Sequence, residues 1–442
     1  MTTMGGLNLV LPGNPRYQPR NLLPFFGYDN LYRGLGLFEI ANVQTLGEIG
    51  VIPPEEMETL VPELIEAILA IPTTTVDRIE RQITGHDVRA WVREAQRIIG
   101  GRLQRWVHVL LTSYDPLDTG RIILYLRSYQ GAVTPSLKQL IRILAEITRE
   151  FANQIQAGRT HGQHALPITV GFWLATILNR ILYNLEVMEL HAERLVGKVS
   201  GAVGAYNAQV GFGITERCGE KTFEQRVLEK VGLRPGRICT QILAPEPLAY
   251  FLHSCTLMTA SLGQFARDVR HLMRTEIGEI TEPREKGQVG SSTMFKEANP
   301  INFENVEGTW HKTKWEHGKV FETLVSEHQR DGVGMTIARD LPIIVVNLQH
   351  QLDTLLREPR EGGDPFLRRM AINREACERN FLQTAHLVLA EPIYIALQMA
   401  GYTKDAHKLI NEELGPQARR EHRLLMEVVE ELEMEGVESG VV

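Results

Sequence analysis

Ile168–Leu195 is the stretch that most narrows what this chain can fold into. Val170, Phe172, Trp173, Leu174, Ile177, Leu178, Ile181, Leu182, Leu185 and Met188 leave almost no polar face over its first half. A helix that is apolar around most of its circumference has to be buried among other helices. Helical spacing recurs from Gly120 to about Gln156, through Ile122, Leu126, Leu137, Leu140, Ile141, Leu144, Ile147 and Phe151. It recurs again over about Pro247–Glu276, Phe303–Arg330 and Met335–Leu356. Period-two alternation is nearly absent. The fold class is therefore all-α, built on a central long-helix bundle.

Shorter helices flank the bundle. The pattern predicts helices over about Asn30–Ile49, with Asp29 as cap and Gly50 as stop, from Pro54 to about Ile71, and over about Asp87–Ile99. After the linker-like Arg360-Glu361-Gly362-Gly363-Asp364-Pro365, helices are expected over about Cys377–Ala400 and Thr403–Asn411, with Thr403 capping the second. The expected division is an N-terminal helical domain (1–111), the long-helix bundle (112–360) and a C-terminal helical domain (361–442).

The chain has 442 residues and a net charge of −7, which argues against a general nucleic-acid binder. No apolar stretch reaches the length of a membrane span, and the N-terminus lacks the basic start and apolar run of a signal peptide. Cys218, Cys239, Cys255 and Cys377 are far apart and form no CxxC pair, so neither a zinc knuckle nor a disulfide framework is indicated. A cytoplasmic protein that binds a small molecule, without nucleic acid or membrane as partner, is the expectation.

Polar clusters fall at the helix breaks: Arg16-Tyr17, His86-Asp87, Thr112-Ser113, Thr160-His161, Thr240-Gln241, Ser291-Ser292, and Arg330 with Arg339. In a bundle such breaks gather at the ends, where distant loops can meet. Histidine is the natural proton-transfer residue near neutral pH. Gly290-Ser291-Ser292-Thr293-Met294-Phe295-Lys296-Glu297-Ala298-Asn299-Pro300, leading to Glu304, has the glycines and donors of a loop that closes over an anionic substrate. Each cluster also has an ordinary alternative. The threonines and serines are common N-caps, histidines are mostly surface or satisfied core residues, and a Gly-flanked stretch is most simply a surface loop. No GxGxxG, P-loop or HExxH pattern occurs, so no metal or cofactor is implied. Residue chemistry alone leads to an α-helical enzyme candidate with a His/Ser proton-transfer site.

Taken together and in order, these clusters resemble the fumarase/aspartase superfamily, and within it the adenylosuccinate lyase family. Thr84-Gly85-His86-Asp87-Val88 resembles its first His-Asp stretch, and Thr112-Ser113-Tyr114-Asp115 with Asp118-Thr119 its TSxDxxDT segment. Gly158-Arg159-Thr160-His161-Gly162 resembles GRTHG, Ser200-Gly201-Ala202-Val203-Gly204 resembles SGAVG, and the 290–304 stretch resembles the signature GSSxMPxKxNPxxxE. The resemblance spans nearly the whole chain. It implies a three-domain fumarase/aspartase-like fold, a homotetramer with shared active sites, and release of fumarate from a succinylated amine, most closely adenylosuccinate. By the same resemblance Ser291 is the base, His161 the acid and Glu304 its orienting partner. Thr112, Ser113, Thr160, Gln241 and Asn299 would hold the succinyl carboxylates, with Lys296 a candidate beside them. Arg16, Tyr17, Arg330, Thr336 and Arg339 would hold the nucleotide end, and His86 and Asp87 would contact the substrate.

Some positions depart from the family pattern. Glu297 stands in register with the signature lysine, where a carboxylate facing a succinyl group costs of order 1–4 kcal/mol at about 4 Å. Leu110 replaces a glycine, Met335 replaces a serine that helps hold phosphate, and Pro245-Glu246 stands where a basic residue is common. These departures leave two alternatives: a sister lyase acting on another succinyl-amine or dicarboxylate, or a scaffold that has lost turnover.

Overall fold

The computed structural model describes Leu9, residues 17–284 and residues 299–431. The architecture is helical, and the strands among these residues form three two-stranded sheets. The principal elements are α1 (Arg33–Glu48), α2 (Asp87–Ile99), α3 (Tyr114–Ser128), α4 (Thr134–Glu150), β1 (Ile155–Thr160), β2 (Gln163–Thr169) and α5 (Val170–Glu193). They continue with α6 (Glu246–Leu272), β3 (Ile280–Thr281), α7 (Ile301–Phe321), α8 (Val333–Ala338), α9 (Ile343–Leu356), β4 (Ala371–Ile372) and α10 (Arg374–Leu382). No helix among the described residues is long and apolar enough to cross a membrane.

The chain divides into two compact units, each assembled from three separated segments. The first comprises residues 1–140, 180–264 and 305–357. One of its cores gathers Leu35, Ile40, Ile68, Leu69, Val76, Val88, Trp91 and Val92. Another part buries Phe251, Leu252, Met258, Leu262, Ile344, Val345, Leu348, Leu352 and Leu355. Gln351 lies fully inside this unit, its Nε2 donating to the carbonyls of Thr259 (3.2 Å) and Val306 (2.8 Å). The second unit comprises residues 141–179, 265–304 and 358–442. Phe303 sits 5.8 Å from Phe265 and 5.4 Å from Phe366, ring centre to ring centre. A separate cluster holds the C-terminal helices through Ile393, Leu397, Ile410, Leu414, Leu425, Val428 and Val429.

Several expected elements are interrupted, mostly at prolines that helical spacing reads through. The helix expected from Pro54 to Ile71 is two helices, Pro54–Met57 and Pro62–Leu69, because Pro62 opens a new first turn. The one expected over Met335–Leu356 stops at Ala338 and restarts after Pro342. Between α3 and α4 the turn Tyr129–Val133 widens to π geometry, since Pro135 has no N–H to give the Gly131 carbonyl. Asp29 lies inside a 3₁₀ turn (Tyr28–Asn30) and caps nothing. Asp405, not Thr403, caps the later C-terminal helix by accepting from the Lys408 N–H at 2.9 Å. The largest difference is the β1–β2 hairpin, where the expected helix reached Gln156 and an irregular break followed.

The α1–α3 crossing brings two backbones into direct contact. A Cβ on Gly34 would lie 2.2 Å from the Gly120 carbonyl oxygen, and one on Gly120 would lie 2.7 Å from the Leu35 nitrogen. No side chain fits either place without parting the helices. Gly34→Ala and Gly120→Ala should therefore each cost about 1–3 kcal/mol, read from urea unfolding. A midpoint like that of the unsubstituted chain would rule out the crossing.

Candidate active site

In the first unit the Thr112-Ser113 segment is placed by Asp115. One carboxylate oxygen, Oδ2, accepts from the Thr112 N–H at 2.8 Å. The other, Oδ1, accepts from Ser200 N–H (3.1 Å), Gly201 N–H (3.3 Å) and the Lys198 ammonium. The Asp115 and Lys198 side chains are both 0% exposed. Thr119 adds two bonds to the Lys198 backbone, and the Val199 N–H donates to Glu224 at 2.6 Å. The TSxD and SGAVG stretches are thus joined through one buried carboxylate.

Three residues on, Asp118 accepts from the Leu243 N–H at 3.1 Å, which fixes the chain just beyond Gln241. Burial pushes its carboxyl above the usual range, against the pull of nearby Arg121. Gln241 meets Arg330, whose Nη1 donates to Gln241 Oε1 at 2.7 Å. The Arg330 guanidinium lies 3.7 Å over the Tyr114 ring, and its Nη2 is 3.8 Å from Met335 Sδ. The structure therefore brings Gln241, Arg330 and Met335 together, beside the residue that follows Ser113. Thr336 and Arg339 are exposed, in α8 and just past its end.

Other expected residues stand apart from this group. His86 is the N-cap of α2, its Nδ1 accepting from the Arg89 N–H at 3.4 Å and lying 3.3 Å from Asp87 Oδ1. Among the described residues no hydrogen bond or ion pair joins His86 or Asp87 to the Gln241–Arg330 group. Tyr17 is exposed, with its ring edge-on to His350 at 6.5 Å. Burial holds His350 down to about 4, and its Nε2 meets Asn305 Oδ1 at 2.7 Å. Arg16, Ser291 and Lys296, with Phe295 and Glu297, lie outside the described residues.

In the second unit the GRTHG stretch forms a hairpin. Thr160 pairs with Gln163, and the two residues between, His161 and Gly162, have φ of 53° and 77°. Positive φ at both central positions is the signature of a type I′ turn, which matches the twist of paired strands. His161 is thereby exposed at the tip of the hairpin. The base of the hairpin is fixed by Glu279, which is 0% exposed. Its carboxylate accepts from Arg159 Nη2 (2.5 Å) and Nη1 (3.1 Å), Gln156 Nε2 (2.7 Å) and Asn380 Nδ2 (2.9 Å). The buried Gln156 and half-buried Arg159 side chains, both turned to Glu279, explain why β1 shows no apolar alternation.

Glu304 lies in the first turn of α7, exposed, 3.8 Å from Arg270. Among the described residues no hydrogen bond joins it to His161. Asn299 is exposed just before the same helix. The start of α7 is held by the Glu282 carboxylate, which accepts from the Asn302 side chain (2.5 Å) and the Asn302 and Phe303 N–H groups (3.2 and 3.4 Å), a favourable place for negative charge. No group of three His, Cys, Asp or Glu side chains suited to a metal occurs among the described residues.

Sequence reasoning assigned no function to Lys198, Glu279 or Glu39. The last of these braces the turn into Thr112. His108 and Leu110 have φ of 66° and 67°, the left-handed region in which a side chain is strained and glycine is not. Leu110 is the residue standing where the family pattern has glycine. Glu39, nearly fully buried, holds this strained turn by accepting from the His108 N–H (3.1 Å) and contacting its Nδ1 (2.6 Å).

Two predictions follow from these braces. Lys198→Met leaves the Asp115 carboxylate buried without its cation, and should cost about 3–5 kcal/mol in urea unfolding; a loss under about 1 kcal/mol would contradict the hub. For His108, burial pulls the imidazole pKa down, but the Glu39 hydrogen bond and charge outweigh it and raise the pKa overall. A raised folded pKa gives stability that is full below the unfolded histidine value and fades as pH rises through the folded value. Stability should therefore fall with rising pH above about 6.5. Glu39→Gln should remove that slope, and a slope unchanged in the variant would refute the assignment.

The profile of the lyase family matches residues 40–312. The chain is 31% identical over 427 residues to the adenylosuccinate lyase of Pyrococcus abyssi, covering 95% of this chain and 89% of the relative. It is 29% identical over 392 residues to that of Bacillus subtilis, covering 88% and 85%. Among solved structures, the 3-carboxy-cis,cis-muconate lactonizing enzyme from Pseudomonas putida superposes with a TM-score of 0.78 at 24% identity, covering 94% of this chain and 89% of that one. A fumarate lyase from Mesorhizobium sp. BNC1 gives 0.77 at 20%, covering 95% and 91%. Those two likenesses establish a shared fold. With the family profile and relatives above 30% identity over nearly its full length, this chain belongs to the lyase family of the fumarase/aspartase superfamily and resembles its adenylosuccinate lyases.

Proposed function

We propose that this chain cleaves adenylosuccinate to AMP and fumarate. The observation that carries the reading is His161 exposed at the tip of a type I′ hairpin, within a GRTHG stretch of a chain that matches adenylosuccinate lyases nearly end to end. A histidine held out on a rigid turn suits proton transfer to a leaving nitrogen. Ser291 takes a proton from the carbon beside a carboxylate. The C–H electron pair passes through an aci-carboxylate to become the C=C bond of fumarate. The C–N bond breaks with its pair on nitrogen, which takes a proton from His161.

Glu304 orients His161 in this reading, across an assembly in which several copies complete each site. Thr112, Ser113, Thr160, Gln241, Asn299 and Lys296 receive the dicarboxylate. Arg16, Tyr17, Thr336 and Arg339, with Arg330, receive the nucleotide, while His86 and Asp87 contact the substrate. Preorganised donors around the developing dianion supply much of the rate. A homotetramer, a cytoplasmic location and the three-domain division at 1–111, 112–360 and 361–442 belong to the same reading.

A second reading, a sister lyase of the same mechanism on another succinylated amine, draws support from Met335. Its thioether contacts Arg330 at 3.8 Å, where the family pattern has a serine hydroxyl for phosphate. A thioether is a poor partner for an anion.

Purified chain mixed with adenylosuccinate should shift the ultraviolet spectrum to that of AMP with release of fumarate. Ser291→Ala and His161→Ala should each lower kcat by about 10²–10⁴ with unchanged thermal unfolding. An inert wild type that instead yields fumarate from a succinylated carboxamide or argininosuccinate selects the second reading. Inertness towards every such substrate excludes both.

A further inference from the structure

His253 on α6 and His317 on α7 face each other within the first unit, and neither belongs to the groups assigned to the lyase chemistry. Nδ1 of His253 lies 3.3 Å from Nε2 of His317, with ring centres 5.1 Å apart and planes at 47°. Two ring nitrogens can face each other in this way for two reasons. One N–H donates to the other nitrogen, or both turn lone pairs to a shared cation. The separation is longer than the usual hydrogen bond from nitrogen, about 2.9–3.0 Å. It matches the span of two imidazole nitrogens on zinc, since bonds of about 2.0–2.1 Å at a tetrahedral angle put the nitrogens about 3.3–3.4 Å apart.

The tautomer of His317 is set from behind. Thr256 Oγ1 donates its proton to the Leu252 carbonyl at 2.9 Å and lies 3.3 Å from His317 Nδ1. The hydroxyl then has only lone pairs to offer, so Nδ1 of His317 carries the N–H. Its Nε2, the atom facing His253, keeps a free lone pair. Holding the far nitrogen by a hydrogen bond is the usual way a metal-binding histidine is oriented. Phe321 stands edge-on to the His317 ring at 5.3 Å. His253 is exposed, which gives an ion a path in and leaves room for water on its remaining positions.

We propose that His253 and His317 form a two-histidine site for a divalent transition metal of the zinc class, with water completing its shell, and that the ion clamps α6 to α7. Imidazole nitrogens suit zinc, copper and nickel, whereas magnesium and calcium take oxygen ligands. Among the described residues no third His, Cys, Asp or Glu joins the pair. The site is therefore an exchangeable one of micromolar affinity rather than a closed structural centre.

Zinc chloride titrated by calorimetry into the full chain, free of any affinity tag and dialysed against chelator, tests this without requiring turnover. The wild type should take up zinc with a micromolar Kd. His253→Ala and His317→Ala should each weaken that binding by about tenfold or more, and the double variant should be hardly weaker than either, because each single change breaks the chelate. Thr256→Val should weaken it severalfold, and His191→Ala should leave it unchanged. Unfolding midpoints without metal should match the wild type, while saturating zinc raises the midpoint of the wild type and not of the single variants. Copper(II) in place of zinc should give an electron paramagnetic resonance spectrum with two nitrogen ligands in the wild type and one in each single variant.

A wild type that takes up no zinc below millimolar concentration overturns the proposal and leaves the pair joined by a hydrogen bond. Uptake that survives either alanine substitution places the ion elsewhere among the 14 histidines and overturns it too. Should an alanine variant fail to fold, the copper spectrum of the wild type decides alone, and a single nitrogen ligand there refutes the site.

Discussion

The Asp115 carboxylate, sealed from solvent with the Lys198 ammonium, is the interaction on which the Thr112-Ser113 part of the candidate site depends. Removing both charges from water is expensive, and their attraction together with the surrounding hydrogen bonds roughly repays it, so the pair adds little net stability. Its value lies in position. One carboxylate ties the Thr112 N–H to Ser200 and Gly201, joining stretches some eighty residues apart in sequence. The Glu279 carboxylate does the same in the other unit, where Arg159, Gln156 and Asn380 converge on it and hold the base of the His161 hairpin. In both units the expected chemical groups are borne on short turns, and a buried acid beneath fixes each turn.

Much of the helical scaffold was legible in the sequence because burial on all sides leaves a strong apolar signature. Val170–Glu193 and Glu246–Leu272 begin and end within a few residues of the expected limits. The breaks at Pro62 and Pro342, and the widened turn before Pro135, were missed because apolar spacing continues through them. Spacing records which side chains face a core, not which N–H groups are missing. The hairpin was missed for the opposite reason. Gln156, buried, and Arg159, half-buried, are polar residues whose partner, Glu279, is over a hundred residues away, and no local pattern announces such a partner. The one local hint was His161-Gly162, a pair able to take positive φ between extended flanks. The carboxylate hubs were equally invisible, since Lys198 and Glu39 look like ordinary charged residues until the fold buries them.

The departures from the family pattern gain physical meaning from the structure. Leu110 sits in left-handed backbone at φ 67°, so the glycine common there elsewhere is explained by conformation, and this chain accepts strain of order 1 kcal/mol beside a turn braced by Glu39. Met335 lies against the guanidinium of Arg330, replacing a hydroxyl with a soft, weak acceptor. One change concerns the cost of holding the Thr112 turn, and the other the chemistry around Arg330. In the proposed reading, proton transfer at His161 and substrate choice around Arg330 are carried by different groups.

The most direct measurement of the central claim is a crystal structure of the assembled protein with fumarate and AMP bound. The account predicts Ser291 Oγ beside the fumarate carbon that lost its proton and His161 beside the AMP amine nitrogen, each within about 3 Å, with the fumarate carboxylates on Thr112, Ser113 and Gln241. Fumarate bound elsewhere, or His161 pointing away from the amine nitrogen of AMP, would contradict it.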